Sequence, residues 1–159
     1  MTSNMNRWLA LFLFLLAAFV VAAIGGGSTA SSVGDWYVTL NKPSWNPPSW
    51  VFGPAWTLLY TLMSVAAWRI WLQRDQPGAQ SLLGLHGVQL GLNALWSILF
   101  FGLRRPDLAL LEILVLLGLL IVIQIRLFPR DRMAAYLWLP YVAWVTFATT
   151  LNATIWWLN

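Results

Sequence analysis

Five stretches of this chain run for about twenty residues with almost no charge, and each is bounded by charged or proline- and glycine-rich segments. A helix rising 1.5 Å per residue needs roughly 20 apolar residues to cross about 30 Å of hydrocarbon. The pattern therefore predicts five membrane-spanning helices, over about residues 8–24, 50–71, 81–101, 108–128 and 134–158. The connectors are short: Gln73-Arg74-Asp75-Gln76-Pro77-Gly78, Arg104-Arg105-Pro106-Asp107 and Pro129-Arg130-Asp131-Arg132. The first run is closed by Gly25-Gly26-Gly27-Ser28, which predicts a flexible exit. This run is long for the apolar segment of a signal peptide, and Ser28-Thr29-Ala30 is a poor cleavage site, so it is read as a retained helix.

Residues 28–49 are expected to form one long loop between the first two spans. It carries Asp35, Trp36, Tyr37 and Lys42, then Pro43-Ser44-Trp45-Asn46-Pro47-Pro48. Prolines fix φ and hold their predecessors extended, so Trp45 is expected on a stiff arm able to fold over the mouth of a bundle.

Composition narrows the class. Of 159 residues, 60% are hydrophobic and 9% charged, too apolar a mix to clothe a soluble globule. The expectation is an all-α integral membrane protein, with residues 1–159 as a single five-helix transmembrane domain. Cysteine is absent, which excludes disulfides, thiolate metal sites and a cysteine nucleophile. The net charge of +4 comes from residues at helix ends and forms no basic patch suited to nucleic acid; membrane lipid is the expected surrounding partner. Arg7, Arg69, Arg74, Arg126, Arg130 and Arg132 fall on one side, against Lys42, Arg104 and Arg105 on the other, which favours a cytoplasmic N-terminal side.

Helical spacing gathers the remaining notable residues into stripes: Trp56, Tyr60 and Met63; Asn93, Trp96 and Phe100; Tyr141, Trp144, Ala148 and Asn152. Trp8, Trp50, Trp68, Trp71, Trp156 and Trp157 fit interfacial belts, whereas Trp56, Trp96 and Trp144 lie deeper, as pocket lining or plain packing. Gln89, Asn93 and Asn152 should face the bundle interior, since polar groups in hydrocarbon are costly. Asn93 serves there either as an interhelical bond or as a ligand anchor. Glu112, near the start of the fourth span, is expected to pair with Arg104 or Arg105. His86 has no evident partner for a proton relay. Gly84, Gly87 and Gly91 form a small-residue face suited to a homodimer or to close packing within the chain. No metal-ligand cluster, phosphate loop or catalytic triad is present, so any catalysis would have to use aromatics and a bound pigment.

The blocks Asn41-Lys-Pro-Ser-Trp-Asn-Pro-Pro48, Ala55-Trp56, Asn93-Ala-Leu-Trp96 and Pro140-Tyr-Val-Ala-Trp-Val-Thr-Phe-Ala-Thr-Thr-Leu-Asn152 closely resemble the translocator protein family. That family includes the peripheral benzodiazepine receptor and bacterial tryptophan-rich sensory proteins. The resemblance implies a five-helix bundle, often dimeric, that binds porphyrins, sterols and isoquinoline-type ligands in a pocket capped by the first loop. By position, it implies loop contributions from Tyr37 and Trp45 and pocket roles for Trp56, Asn93, Trp96, Trp144 and Ala148. In some bacterial relatives, tryptophans matching Trp56 and Trp144 are linked to light-dependent breakdown of protoporphyrin. The sterol-recognition segment of animal members has a basic residue after the final Leu-Asn, where this chain continues Ala-Thr-Ile-Trp-Trp.

The resulting expectation is a receptor or transport-type protein of the bacterial cell membrane that binds tetrapyrroles in its bundle, with a sensory role. A light-dependent porphyrin-degrading enzyme and a sterol or lipid carrier are the alternatives. No cofactor is expected to be required, the porphyrin being ligand or substrate.

Overall fold

The computed structural model describes residues 6–159, and every regular element in it is helical. The elements are α1 (Arg7–Val33), the short α2 (Trp36–Thr39), α3 (Phe52–Trp71) led by a 3-10 turn at Ser49–Val51, α4 (Ala79–Ser97) running into a π-helical turn at Ile98–Gly102, α5 (Pro106–Leu127) and α6 (Arg132–Leu158). All but α2 are long and apolar enough to cross a membrane. The five spans close into a ring in the order α1, α3, α6, α5, α4, with α4 returning to α1.

The helix ends follow local chemistry. The Asn6 side chain accepts the Trp8 N–H at the start of α1, and Asp131 accepts the Ala134 N–H at the start of α6. Pro106 opens α5, where a missing N–H costs nothing, with Asp107 in its first turn. Gly78, at φ 83°, supplies the left-handed residue that starts α4.

The first helix departs from expectation. It does not end at Ile24 but runs through the three glycines to Val33, so the connector shrinks to residues 34–48 and holds a helical turn of its own. In lipid an unpaired backbone group has no water to satisfy it, so a glycine run that would break a helix in water stays helical. The Thr29 hydroxyl donates to the Gly25 carbonyl at 2.9 Å, and a Cβ on Gly25 would come within 3.0 Å of Ser97 Oγ. Gly25 is therefore a point of close approach between α1 and α4.

The polar ends of the bundle are tied by ion pairs, though not the one expected for Glu112. Arg105 grips Asp107 two residues away, at 2.8 and 2.6 Å. Arg104, turned back by its positive φ of 55°, reaches Asp35 of the connector at 3.0 Å. Both arginines are spent on nearer carboxylates, and Glu112 points into the bundle, where neither of its carboxyl oxygens has a hydrogen-bond partner among the described residues.

At the opposite end, Arg69 of α3 forms a forked pair with Asp131 at 3.0–3.2 Å, joined by Gln73 at 3.0 Å. Burial pushes the Asp131 carboxyl up, but the Ala134 N–H and the Arg69 guanidinium outweigh it and hold the group below its ordinary value. A depressed carboxyl contributes stability that is fully present above its unfolded pKa of about 3.9 and is lost as pH falls through the folded value. Asp131→Asn keeps a capping oxygen while removing the charge. It should cost less than about 1 kcal/mol at pH 7, because Arg69 is partly exposed. Unfolding in mixed micelles should show this variant losing part of the wild-type decline in stability below about pH 4; the same decline in both proteins would refute the assignment.

Candidate functional site

Where α1, α3, α4 and α6 separate toward the connector they enclose a cavity of about 460 Å³. It falls within the roughly 300–1,000 Å³ usual for small-molecule sites. Its walls are mostly aromatic. Trp56 of α3 meets Trp144 of α6 edge to face, with ring centroids 6.3 Å apart, and touches Tyr60 and Tyr141 at 5.5 and 6.2 Å. Phe52 and Phe147 extend this bank at 6.0 and 5.7 Å from Trp144. The other bank is built on α4, where Trp96 stacks on Phe100 at 5.2 Å and 26°, with Phe101 at 6.0 Å.

The π-helical turn makes that second bank possible. Its extra residue per turn brings the adjacent Phe100 and Phe101 both to the cavity, and Ser32 of α1 fixes the turn by donating to the Phe101 carbonyl at 2.6 Å. Tyr37 of α2 packs on both phenylalanines, at 6.4 and 5.6 Å.

The polar edge of the cavity is the visible end of a longer chain. Tyr60 donates its hydroxyl to Asn93 Oδ1. Asn93 Nδ2 donates to the Tyr141 hydroxyl at 2.9 Å, Tyr141 donates to Gln89 Oε1 at 2.8 Å, and the Gln89 amide meets His86 Nδ1 at 3.2 Å. All five residues are buried. The chain thus joins α3, α4 and α6 from the cavity to His86, whose neighbour along its own helix is an amide that does not titrate. Asn93 is an interhelical bond in this structure, with acceptor and donor capacity to spare. Asn152 also works within the protein, accepting the Trp96 indole N–H at 3.0 Å and donating to the Pro106 carbonyl at 2.8 Å.

The expected ligand residues fall as follows. Tyr37, Trp56, Asn93, Trp96, Trp144 and Ala148 all line the cavity. Trp45 does not; it stands one layer out, packed edge to face on Phe147 at 5.8 Å. Lys42 lies over the Tyr37 ring and donates to the Tyr37 and Leu40 carbonyls at 2.7 and 2.9 Å. Gly84, Gly87 and Gly91 sit on the outer face of α4, where an added Cβ would meet nothing, so they serve no close packing within the chain. Spacing alone did not bring out Phe101, which needs the π turn, nor the stretch from Gly25 to Val33, which lines the cavity only because α1 continues. Phe147, three residues after Trp144, carried a signal in its spacing.

Five spans, four of which enclose an aromatic cavity, define an integral, multi-pass membrane protein with an internal chamber. Residues 13–158 match the model of the TspO/MBR family, and the chain belongs to that family. It is 41% identical to the tryptophan-rich sensory protein of Cereibacter sphaeroides, over 93% of this chain and 90% of that one. It is 39% identical to the tryptophan-rich protein TspO of Archaeoglobus fulgidus, covering 91% and 94% of the two chains. It is 34% identical to the human translocator protein, covering 94% and 89%.

Proposed function

We propose that this protein is a membrane receptor of sensory or transport type that binds porphyrins and related flat apolar ligands in the aromatic cavity. The observation that carries the reading is the pair of aromatic banks, Trp56 with Trp144 and Trp96 with Phe100, lining one chamber within the spans. A ligand already dissolved in lipid gains little from leaving it, so selectivity must rest on shape, stacking and a few polar contacts, with each aromatic pair contributing about 0.5–1.5 kcal/mol. Names of relatives support the coarser role, one being called a sensory protein and another a translocator. The reading extends to a bacterial cell membrane with the α1 start on the cytoplasmic side, and to a homodimer through Gly84, Gly87 and Gly91. No cofactor is needed for it, and isoquinoline-type or sterol ligands are further occupants of the same chamber.

A second reading is supported by one feature: Trp56, on the cavity wall, touches Trp144, Tyr60 and Tyr141, so four oxidisable rings are linked through one tryptophan. Such rings suit a light-dependent porphyrin-degrading enzyme. Titration of purified protein with protoporphyrin IX in the dark, followed by illumination, separates the two. Saturable, light-stable binding is the expected result. Light-driven loss of the porphyrin spectrum that disappears in Trp56→Phe and Trp144→Phe would select the enzyme, and no saturable binding would overturn both.

A further inference from the structure

The connector covers the cavity on the side toward the water. On the connector side, Tyr37 is buried under its loop and bonds Asn46 at 3.0 Å, while Asn41 and Asn159 exchange two hydrogen bonds of 3.0 Å that pin the loop to the end of α6. At the far end α1 and α3 are in contact: Trp8 stacks on Trp68 at 5.9 Å, the Trp68 indole donates to the Arg7 carbonyl at 2.8 Å, and Ser64 donates to the Phe14 carbonyl at 3.3 Å.

Toward the connector these two helices part. Gly26 and Ala30 of α1 and Gly53 and Thr57 of α3 line the cavity, and all four are exposed. A Cβ added to Gly26 or Gly53 would meet nothing within 4 Å. Phe19, 39% exposed and 6.3 Å from the Tyr60 ring, stands at the inner end of the gap. At 1.5 Å per residue, Phe19 lies about 20 Å along α1 from its Val33 end, so the gap reaches from the headgroup level to near mid-bilayer.

We propose that this gap between α1 and α3 is a lateral portal through which a membrane-dissolved amphiphile, flat and apolar with its polar edge at the headgroups, reaches the cavity directly from the bilayer. The proposal deepens the binding function above and rests on it for the identity of the occupant. Small residues are what the portal requires, because a ring system must slide edge-on between two helices whose backbones are otherwise covered. Phe19 is the side chain that must swing to admit it.

The chain contains no cysteine, so a single introduced thiol reports access without background. Ala148→Cys places one inside the cavity. In lipid nanodiscs, where both aqueous faces are reachable, this variant should react with an uncharged, lipid-soluble maleimide and be spared by a charged, membrane-impermeant thiosulfonate. Adding Gly26→Trp should slow the maleimide at least tenfold. Gly27→Trp, one residue further round α1 and not on the cavity, should change it less than twofold. Comparing rates among gate variants cancels the poor ionisation of a thiol in an apolar chamber. Equal labelling by the charged reagent, indifference to Gly26→Trp, or no labelling by the maleimide would each overturn the portal. Protoporphyrin titration of the unmodified protein is read separately. Gap-dependent labelling without porphyrin binding would uphold the portal and discard the porphyrin.

Discussion

Tyr141→Phe should destabilise the folded bundle by about 2 kcal/mol, close to a thirtyfold loss in the folding equilibrium, while hardly changing its shape. The ring is fully buried and wedged between Trp138 at 5.5 Å and Trp56 at 6.2 Å, so phenylalanine fills the same space. What is lost is a hydroxyl that accepts from Asn93 and donates to Gln89. Interhelical hydrogen bonds in membrane proteins average about 0.6 kcal/mol and reach about 1.7, because the unfolded helices find other partners in the bilayer. Two such bonds are removed at once, and the Asn93 amide and Gln89 oxygen are both left without a partner in a dry interior, which sets the estimate near the upper end. Tyr60→Phe removes a single bond, to Asn93, and should cost about half as much. Reversible unfolding in mixed micelles gives the order; a Tyr141 variant as stable as the wild type, or a Tyr60 variant that loses more, would mean that the buried chain does not hold the bundle together.

That chain also shows where sequence reading succeeded and where it stopped. Four of the five spans were legible to within two or three residues, because the thickness of hydrocarbon imposes a length and the charged connectors mark its limits. The inward facing of Gln89, Asn93 and Asn152 was legible for a related reason: lipid offers them no partner. Which partner each would take was not, since this depends on the rotation of three helices about their axes. Asn93 and Gln89 met at one tyrosine, and Asn152 took Trp96.

The same limit explains Glu112. Its distance along the chain from Arg104 and Arg105 suited an ion pair, but its side of α5 faces the interior, and the arginines had closer carboxylates in Asp35 and Asp107. The continuation of α1 through Gly25-Gly26-Gly27 was hidden because glycine's reputation as a breaker belongs to water. The π turn at Ile98–Gly102 left no trace in the pattern, although it decides the second aromatic wall. The cavity residues themselves were mostly within reach: spacing gathered Trp56, Asn93, Trp96, Trp144 and Ala148, family resemblance added Tyr37, and the proline-rich arm pointed to Trp45, which stands one layer out.

Trp144→Ala should weaken dark binding of protoporphyrin about five- to 150-fold and leave the bundle folded. Trp144 is the hub of its bank, in ring contact with Phe52, Trp56 and Phe147. Hydrophobic transfer does not set the size of the effect, because the lipid competing for the ligand is as apolar as the cavity. The loss comes from the contacts lipid cannot imitate: one flat stacking surface, worth about 0.5–1.5 kcal/mol, and the fixed edge-to-face posture it imposes on Trp56, of similar size. Together these amount to about 1–3 kcal/mol, and each 1.4 kcal/mol is a factor of ten in affinity. The indole is only partly buried against the core, so its removal enlarges an existing cavity and opens no new void. Trp50, 74% exposed and not on the cavity, supplies the comparison: Trp50→Ala removes the same kind of side chain and should leave affinity within twofold. Titration followed through the porphyrin absorbance avoids the overlapping signals of twelve tryptophans. Equal affinity in the Trp144 variant, with its helical content intact, would remove this bank from the binding site. Equal losses in both variants would trace the binding to membrane-surface aromatics and away from the chamber.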